Sequence, residues 1–435
     1  MVAKVCTVEF DGFRVGALAQ ADDSVVVEFE YAPEWLAEGF AIDPIHLPLQ
    51  AGVFRFPELA YPTFKGLPAV FADSLPDDFG NALIDAWLAR KGLDAEQFTA
   101  LDRLLYTGTR GMGALEYQPA QQLNSETLFE VDLADLVKLA QSVLDERTAF
   151  ATQTTDDDAM VNLIQVGTSA GGARPKAVIA INSARDHILS GQVAAPAGYE
   201  HYLLKFDGVE EHRHGVQTFG DPKGFGLMEY VYYLMASQCG IEMNPCELLR
   251  EGDRAHFMTK RFDREHNQKY HVMTLCAMAH ADYKKPGHFS YEQLFAVARQ
   301  LGLTHQEQLQ LFRRMVFNVV ARNHDDHTKN TAFYVDDNFE WALAPAYDMA
   351  WSYKPSSDWV AKHQLALNGK RDDFELADLL AIAELISNFS RREAMQVIQD
   401  IVAVVRTWPE LAQREGVPQA LLESVTASHR LYLIG

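Results

Sequence analysis

The chain has few cysteines, no long apolar run and a deficit of positive charge. Its four cysteines, Cys6, Cys239, Cys246 and Cys276, show no metal-ligand or redox spacing, so reduced core thiols in a cytoplasmic protein are expected. No apolar stretch approaches the roughly 18–20 residues of a membrane span. The first residues, Met1-Val2-Ala3-Lys4-Val5, lack the apolar region of a signal peptide, and no membrane partner is expected. Lys and Arg number 38 against 60 Asp and Glu, a net charge of −22. That sign opposes non-specific binding of the whole chain to nucleic acid or anionic lipid. It leaves room for a local basic patch or a basic partner protein.

What is present is enough for a sizeable core and two or three domains: 435 residues, 48% of them hydrophobic. Alternating runs at 5–10, 13–18 and 25–29, separated by Asp11-Gly12 and Ala21-Asp22-Asp23-Ser24, predict strands. Pro76-Asp77 looks like a helix start ahead of a helical pattern over 81–90, and a second helix fits 133–144. Residues 152–158 are polar and acidic and read as a surface connection. A Gly-rich turn at 169–176 then precedes strands at 177–181 and 202–206, a helix over 229–239 and a strand over 257–262. Helical patterns dominate afterwards, at 291–301, 306–320, 376–385 and 391–405. The order predicts an α+β fold in three parts: a β-rich subdomain over 1–120, a mixed segment over 121–262 and a helical segment over 263–435.

The densest polar motif is Arg322-Asn323-His324-Asp325-Asp326-His327-Thr328-Lys329-Asn330, followed by Ala346-Tyr347-Asp348-Met349. An Asp, an Asn five residues on and a second Asp in the next segment are the parts phosphoryl transfer needs. One carboxylate orients the attacking hydroxyl, while the amide oxygen and the second carboxylate hold Mg²⁺ on nucleotide phosphates. Asp326 competes with Asp325 as the base, but its step to Asn330 is one residue short. The Asp-x-His-x-x-Asn pattern is also similar to lipid-kinase loops, which leaves a lipid or small-molecule kinase open. The plainer alternative is a polar turn that caps helices.

Three further features bear on the same chemistry. The segment Ser169-Ala170-Gly171-Gly172-Ala173-Arg174-Pro175-Lys176 lets backbone N–H groups approach phosphate and adds positive charge, although it lacks the ending of a Walker A loop. Lys205 interrupts the hydrophobic run Tyr202-Leu203-Leu204-Lys205-Phe206, where a strand lysine could pair with phosphates, and Glu229 is its candidate ion-pair partner. The histidines of Glu210-Glu211-His212-Arg213-His214 and His324-Asp325-Asp326-His327 could suggest metal clusters. No third His-rich segment completes a site, so His212 and His214 are expected in a solvated loop, and His327 beside a phosphate or supporting its own loop. Trp341, Trp351 and Trp359 are expected to be packing residues.

In chain order, these parts are a Gly-rich turn, a strand lysine, a helix glutamate, a hinge strand, a base loop and a metal aspartate. With Gly66-Leu67-Pro68, Phe71-Ala72-Asp73-Ser74-Leu75-Pro76-Asp77, Gly111-Met112-Gly113-Ala114-Leu115, Lys260-Arg261-Phe262-Asp263-Arg264 and Pro345-Ala346-Tyr347-Asp348, the chain resembles the HipA-like serine/threonine kinases. These are toxins of HipBA-type toxin–antitoxin modules. The resemblance covers most of the chain and implies a two-lobed protein-kinase-like fold that uses ATP and Mg²⁺.

On the matching positions the resemblance implies Asp325 as catalytic base and Asn330 and Asp348 as Mg²⁺ ligands. ATP would be held by Ala170, Gly171, Gly172, Ala173, Arg174 and Lys176 of the phosphate loop and by Lys205. Lys260, Arg261 and Phe262 would form the adenine-side hinge, with His327, Lys329 and Tyr347 completing the nucleotide site. Ser169 matches an autophosphorylated serine whose modification silences the kinase, and Thr168 is a neighbouring acceptor. The resemblance further implies a small helix-turn-helix antitoxin of HipB type, an aminoacyl-tRNA synthetase as a class of substrate, and DNA contact only through the antitoxin. A catalytically weak co-repressor scaffold is the alternative from another class. Arg174-Pro175 stands where better-known members carry Gln-Glu, and Asp156-Asp157-Asp158 has no counterpart role.

Overall fold

The computed structural model describes residues 4–76, 78–90, 92, 94, 98–120, 130–145, 174–213 and 216–434. They divide into two compact units, one of Met1–Gly226 with Glu247–Val272, the other of Leu227–Cys246 with Met273–Gly435.

The first unit is rich in strands. β1 (Lys4–Phe10), β2 (Phe13–Gln20), β3 (Glu28–Tyr31), β4 (Val53–Phe54) and β5 (Leu115–Gln118) form an antiparallel sheet in the order β4-β3-β2-β1-β5. The β1–β2 turn is Asp11-Gly12, with φ of 48° and 77°. Two positive φ values in a two-residue loop match the twist of paired strands, and Asp-Gly tolerates them. β3 begins later than the apolar run at 25–29 suggests. Val27 N–H donates to Gly66 O and Ser24 Oγ caps Val26, so this stretch is spent on a loop.

The second sheet of this unit contains β6 (Lys176–Asn182), β7 (Ile188–Ser190), β8 (Tyr199–Lys205), β11 (Cys246–Glu251) and β12 (Arg254–Lys260), in the order β11-β12-β8-β6-β7. Two hairpins accompany it, β9 (Val209–Arg213) with β10 (Val216–Asp221) and β13 (Arg264–Glu265) with β14 (Gln268–Lys269). His212 is therefore a strand residue paired with Gln217, not the loop residue expected from its polar surroundings, and His214 lies outside the described residues. β6 is buried along nearly its whole length, which is why it reads as an unbroken apolar run. Its Ala177, Ile179 and Ile181 pack with Leu83 and Ile84 of helix Asp78–Arg90 and Val137 of helix Leu133–Asp145.

The second unit is mostly helical. Its longer helices are Tyr291–Gln300, His305–Val320 and Arg391–Val405, accompanied by Leu376–Ala383, Trp408–Glu415 and Gln419–Ser428. Capping boxes start four of them: Ser290 with Gln293, Thr304 with Glu307, Glu375 with Asp378 and Ser390 with Glu393. Each satisfies backbone donors reciprocally at a first turn. β15 (Val272–Thr274), β16 (Ala332–Val335) and β17 (Trp341–Leu343) make a small sheet. No helix among the described residues is long and apolar enough to cross a membrane. All four cysteines are free and buried, and burial pushes the thiols of Cys6 and Cys239 up to about 12.

Candidate active site

Helix His305–Val320 ends in a fully buried run from Met315 to Val320 and releases the chain into residues 321–330. The loop is anchored at once. Arg322 adopts φ 58°, His324 N–H donates to Ser352 O, and Ser352 N–H donates to Arg322 O. The loop ends in a 3₁₀ turn at Thr328–Asn330 that leads into β16. A rigid helix and sheet thus hold an irregular polar segment, the arrangement that suits functional loops.

The two adjacent carboxylates of this loop have different surroundings. Asp326 is buried: its Oδ2 accepts from Tyr291 O–H at 2.7 Å and lies 2.9 Å from His363 Nδ1, while its Oδ1 accepts from Gln364 N–H at 2.7 Å. With both oxygens committed, Asp326 is a strut. Asp325 keeps a side chain that is 34% exposed. Its Oδ1 accepts from Trp359 Nε1–H at 2.7 Å and lies 3.7 Å from His327 Nε2. Among the described residues no hydrogen bond reaches its Oδ2. Geometry therefore separates the two candidates for the base, and only Asp325 has an oxygen to offer.

Asn330 donates Nδ2–H to Asp325 O at 2.8 Å, which turns its Oδ1 away from that contact. Tyr347 O–H donates to Lys329 O at 2.7 Å and ties the Asp348 segment to the loop that carries Asp325. Ala346 N–H donates to Glu242 O, and Asp348 follows with φ 53°, a left-handed conformation that a non-glycine residue adopts only when its surroundings enforce it. Asn330, Tyr347 and Asp348 line a cavity of about 20 Å³ together with Asn323, Asp326 and His327. An amide oxygen and a carboxylate on such a cavity are hard donors. They fit Mg²⁺, which takes one or two protein ligands and fills its remaining positions with water and phosphate oxygens.

Lys329 places Nζ 5.1 Å from the Tyr283 ring, and that ring lies 5.4 Å from His327 and 6.5 Å from Trp359. Trp359 is thus more than packing, because its indole N–H fixes one oxygen of Asp325. Nothing in its own segment announces this, since the partner lies far away in the chain. His324 serves structure: it is fully buried, faces His363 at 4.1 Å and pairs with Val360 O, and burial followed by the charges around it holds its imidazole neutral.

In the first unit Lys176 of β6 and Lys205 of β8 stand directly opposite one another in an antiparallel pair, and both are buried. Opposed residues on such a pair project to the same face. Lys205 Nζ also lies 5.7 Å from the Phe257 ring. At the end of β12, Lys260 pairs with Glu200, while Arg261 turns inward. Arg261 Nε and Nη2 donate to the two oxygens of buried Asp263 at 2.8 and 2.6 Å, and Arg264 Nη1 donates to Asp263 Oδ2 at 2.9 Å. Gly113 N–H donates to the same carboxylate at 2.7 Å, and Arg264 donates to the carbonyls of Gly111 and Gly113. Burial alone would raise the Asp263 carboxyl, but Arg261 and Arg264 hold it well below the usual range. Two motifs that the sequence presents 150 residues apart are therefore halves of one buried ion cluster. Phe262 is half-buried, Arg174 is half-buried ahead of β6, and Glu229 is buried in helix Phe225–Gln238. Ser169, Ala170, Gly171, Gly172 and Ala173 lie outside the described residues.

Residues 6–118 match the family model of the HipA N-terminal domain, and residues 168–408 match that of the HipA-like C-terminal domain. The chain is 24% identical to the Sinorhizobium fredii (strain NBRC 101917 / NGR234) protein named "Putative kinase Y4mE" over 373 residues, 80% of this chain and 77% of the relative. HipA from the Shewanella oneidensis MR-1 toxin–antitoxin complex with HipB and operator DNA superposes with a TM-score of 0.65 at 16% identity, covering 99% of this chain and 96% of that one. The latter likeness shows the fold, the α+β protein-kinase-like fold expected from the sequence. With both domain models matched in order, the chain belongs to the HipA family.

Proposed function

We propose that the protein is an ATP- and Mg²⁺-dependent serine/threonine protein kinase acting as a HipA-type toxin. The observation that carries this reading is the division of labour in the base loop. Asp326 is consumed by three buried hydrogen bonds, while Asp325 keeps one oxygen free in a loop that Asn330 ties down through the Asp325 backbone oxygen.

In this reading Asp325 accepts the proton of a serine or threonine hydroxyl. The hydroxyl oxygen bonds to the γ-phosphorus, the bond to the β–γ bridging oxygen breaks, and ADP leaves. Asn330 and Asp348 would hold the Mg²⁺, which would supply positive charge against the phosphates. Lys176 and Lys205 supply positive charge to the phosphates, with residues 170–174 as the phosphate loop. Lys260, Arg261 and Phe262 border the adenine; because Arg261 is committed to Asp263, its part there falls to the backbone. His327, Lys329 and Tyr347 shape the floor of the nucleotide site.

Ser169 is the proposed autophosphorylation site, where about −1.5 to −2 of added charge would repel ATP. The domain scheme is an N-terminal subdomain over 1–120, a nucleotide-binding part over 121–262 and a catalytic helical part over 263–435. The proposed partner is a HipB-like helix-turn-helix antitoxin, through which any DNA contact of this acidic chain would run. The proposed substrate is a translation protein such as an aminoacyl-tRNA synthetase.

Incubation with ATP labelled at the γ-phosphate tests the reading. Wild type is expected to label itself on Ser169, and Asp325→Ala to lose about 10²–10⁴-fold in rate. Equal labelling of both would remove the base, and no ATP binding by wild type would remove the activity.

A further inference from the structure

The base loop and the metal-side segment are joined by buried side chains that the reaction itself does not use. Tyr291, the first residue of helix Tyr291–Gln300, donates its hydroxyl proton to Asp326 Oδ2 at 2.7 Å. The same hydroxyl accepts from Asn318 Nδ2–H at 3.2 Å. Asn318 Oδ1 accepts from Asn323 Nδ2–H at 2.9 Å, and Asn323 Nδ2 also lies 3.3 Å from the backbone oxygen of Asp348. Tyr291, Asn318 and Asn323 are 3%, 8% and 2% exposed. Tyr291 and Asn318 each donate to one neighbour and accept from the other, while Asn323 donates through its amide nitrogen to both of its neighbours. One end of the chain is the carboxylate beside the base, and the other is the carbonyl of the residue offered to the metal.

We propose that Tyr291, Asn318 and Asn323 are positioning residues that set the base loop against the metal-side segment, so that Asp325 and Asp348 are in register before nucleotide arrives. The inference rests on the phosphoryl-transfer reading above. All three border the cavity that Asn330 and Asp348 line, and their role there is to position those groups. Their function is to hold Asp348 in its left-handed conformation, φ 53°, at a fixed offset from Asp326 and so from Asp325. Contacts one layer behind a metal ligand control its orientation and hence metal affinity, and a misplacement of about 1 Å at reacting groups costs on the order of 10²-fold in rate.

The test uses the full chain and two readouts. Tyr291→Phe removes a single oxygen and keeps the ring, and Asn318→Ala breaks the middle of the relay. Tyr31→Phe, which removes an equally buried hydroxyl bonded to Leu47 O in the other unit, is the control. Mn²⁺ affinity in the presence of a non-hydrolysable ATP analogue is read by electron paramagnetic resonance, and kcat and KM for ATP by labelled phosphate transfer. Thermal melts confirm that each variant is folded. Tyr291→Phe is expected to weaken Mn²⁺ about 10-fold and to lower kcat about 10- to 100-fold, with Tyr31→Phe at wild-type values. Tyr291→Phe with Asn318→Ala should be no worse than the worse single variant, because one chain is broken twice. Wild-type Mn²⁺ affinity in Tyr291→Phe, an equal loss in Tyr31→Phe, or full additivity would overturn the relay. Wild type that holds the Mn²⁺–nucleotide but transfers no phosphate would remove the kinase reading alone, leaving the relay to be decided by the affinities. Wild type that does not hold it would remove both.

Discussion

Trp359 donates its indole N–H to Oδ1 of Asp325 at 2.7 Å, so the side chain proposed as base has one oxygen pinned and one offered. Trp359→Phe keeps most of the ring and deletes the donor. Phosphate transfer should fall about 10-fold through lost orientation, with KM for ATP unchanged. Initial rates over a range of ATP concentrations check this, and a change in KM alone would assign Trp359 to nucleotide binding.

Asp325 and Asp326 are adjacent, yet their substitutions should fail in opposite ways. Asp325→Asn alters a partly exposed group and should leave unfolding free energy within about 1 kcal/mol of wild type while phosphate transfer is lost. Asp326→Asn breaks the pairing with Tyr291 and His363 in the core and should cost about 3–5 kcal/mol of stability. Urea denaturation of both variants beside the labelling assay separates the two roles.

Asp263→Ala should be among the most damaging single changes in the first unit. It strands Arg261 and Arg264 without their shared counter-charge, and breaking a buried pair in this way costs about 3–5 kcal/mol. Chemical denaturation measures the loss. A small effect would mean that water reaches the two guanidinium groups.

Asp43 makes stability depend on pH near neutrality. Burial pushes its carboxyl up to about 7, outweighing the Oδ1 bonds from the His46 and Ile45 N–H groups, with Asp73 adding repulsion. The unfolded carboxyl titrates near 4. Below about pH 4 both states hold the proton. Between about 4 and 7 the unfolded chain releases it and the folded chain keeps it, so folding stability falls as pH rises, and then levels off. Asp43→Asn should remove that slope and gain about 2–4 kcal/mol on wild type between pH 4.5 and 7.5. Parallel slopes for the two proteins would show that Asp43 ionises normally.

How much of this was legible in sequence follows from the range of the interactions. Asp325, Asn330 and Asp348 stand out because their short, ordered spacings are of the kind that phosphoryl transfer needs. The sequence ranks Asp325 over Asp326 by a spacing of one residue, and the structure separates them by burial. The roles of Tyr291, Asn318, His363 and Arg430 are not legible locally, since each is an ordinary core residue until a partner arrives from 27 or more residues away. Asp263 and Gly113 each belong to a noticeable motif, but nothing local tells that one carboxylate accepts from the other's N–H. Short elements such as β11 and helix Ala100–Thr107 escape a sequence reading for a related reason. Few residues carry their periodicity, and the contacts that stabilise them are distant.

Arg430 lies fully buried behind the base loop, with Nη1 2.9 Å from His363 Nε2, the imidazole that braces Asp326 from its other side. Its backbone N–H donates to Val320 O, and its guanidinium to Val319 O and Asp372. Support for the loop around Asp325 is thus completed by a contact made across 106 residues of chain, so removing Arg430 would unsettle a loop that keeps every residue of its own.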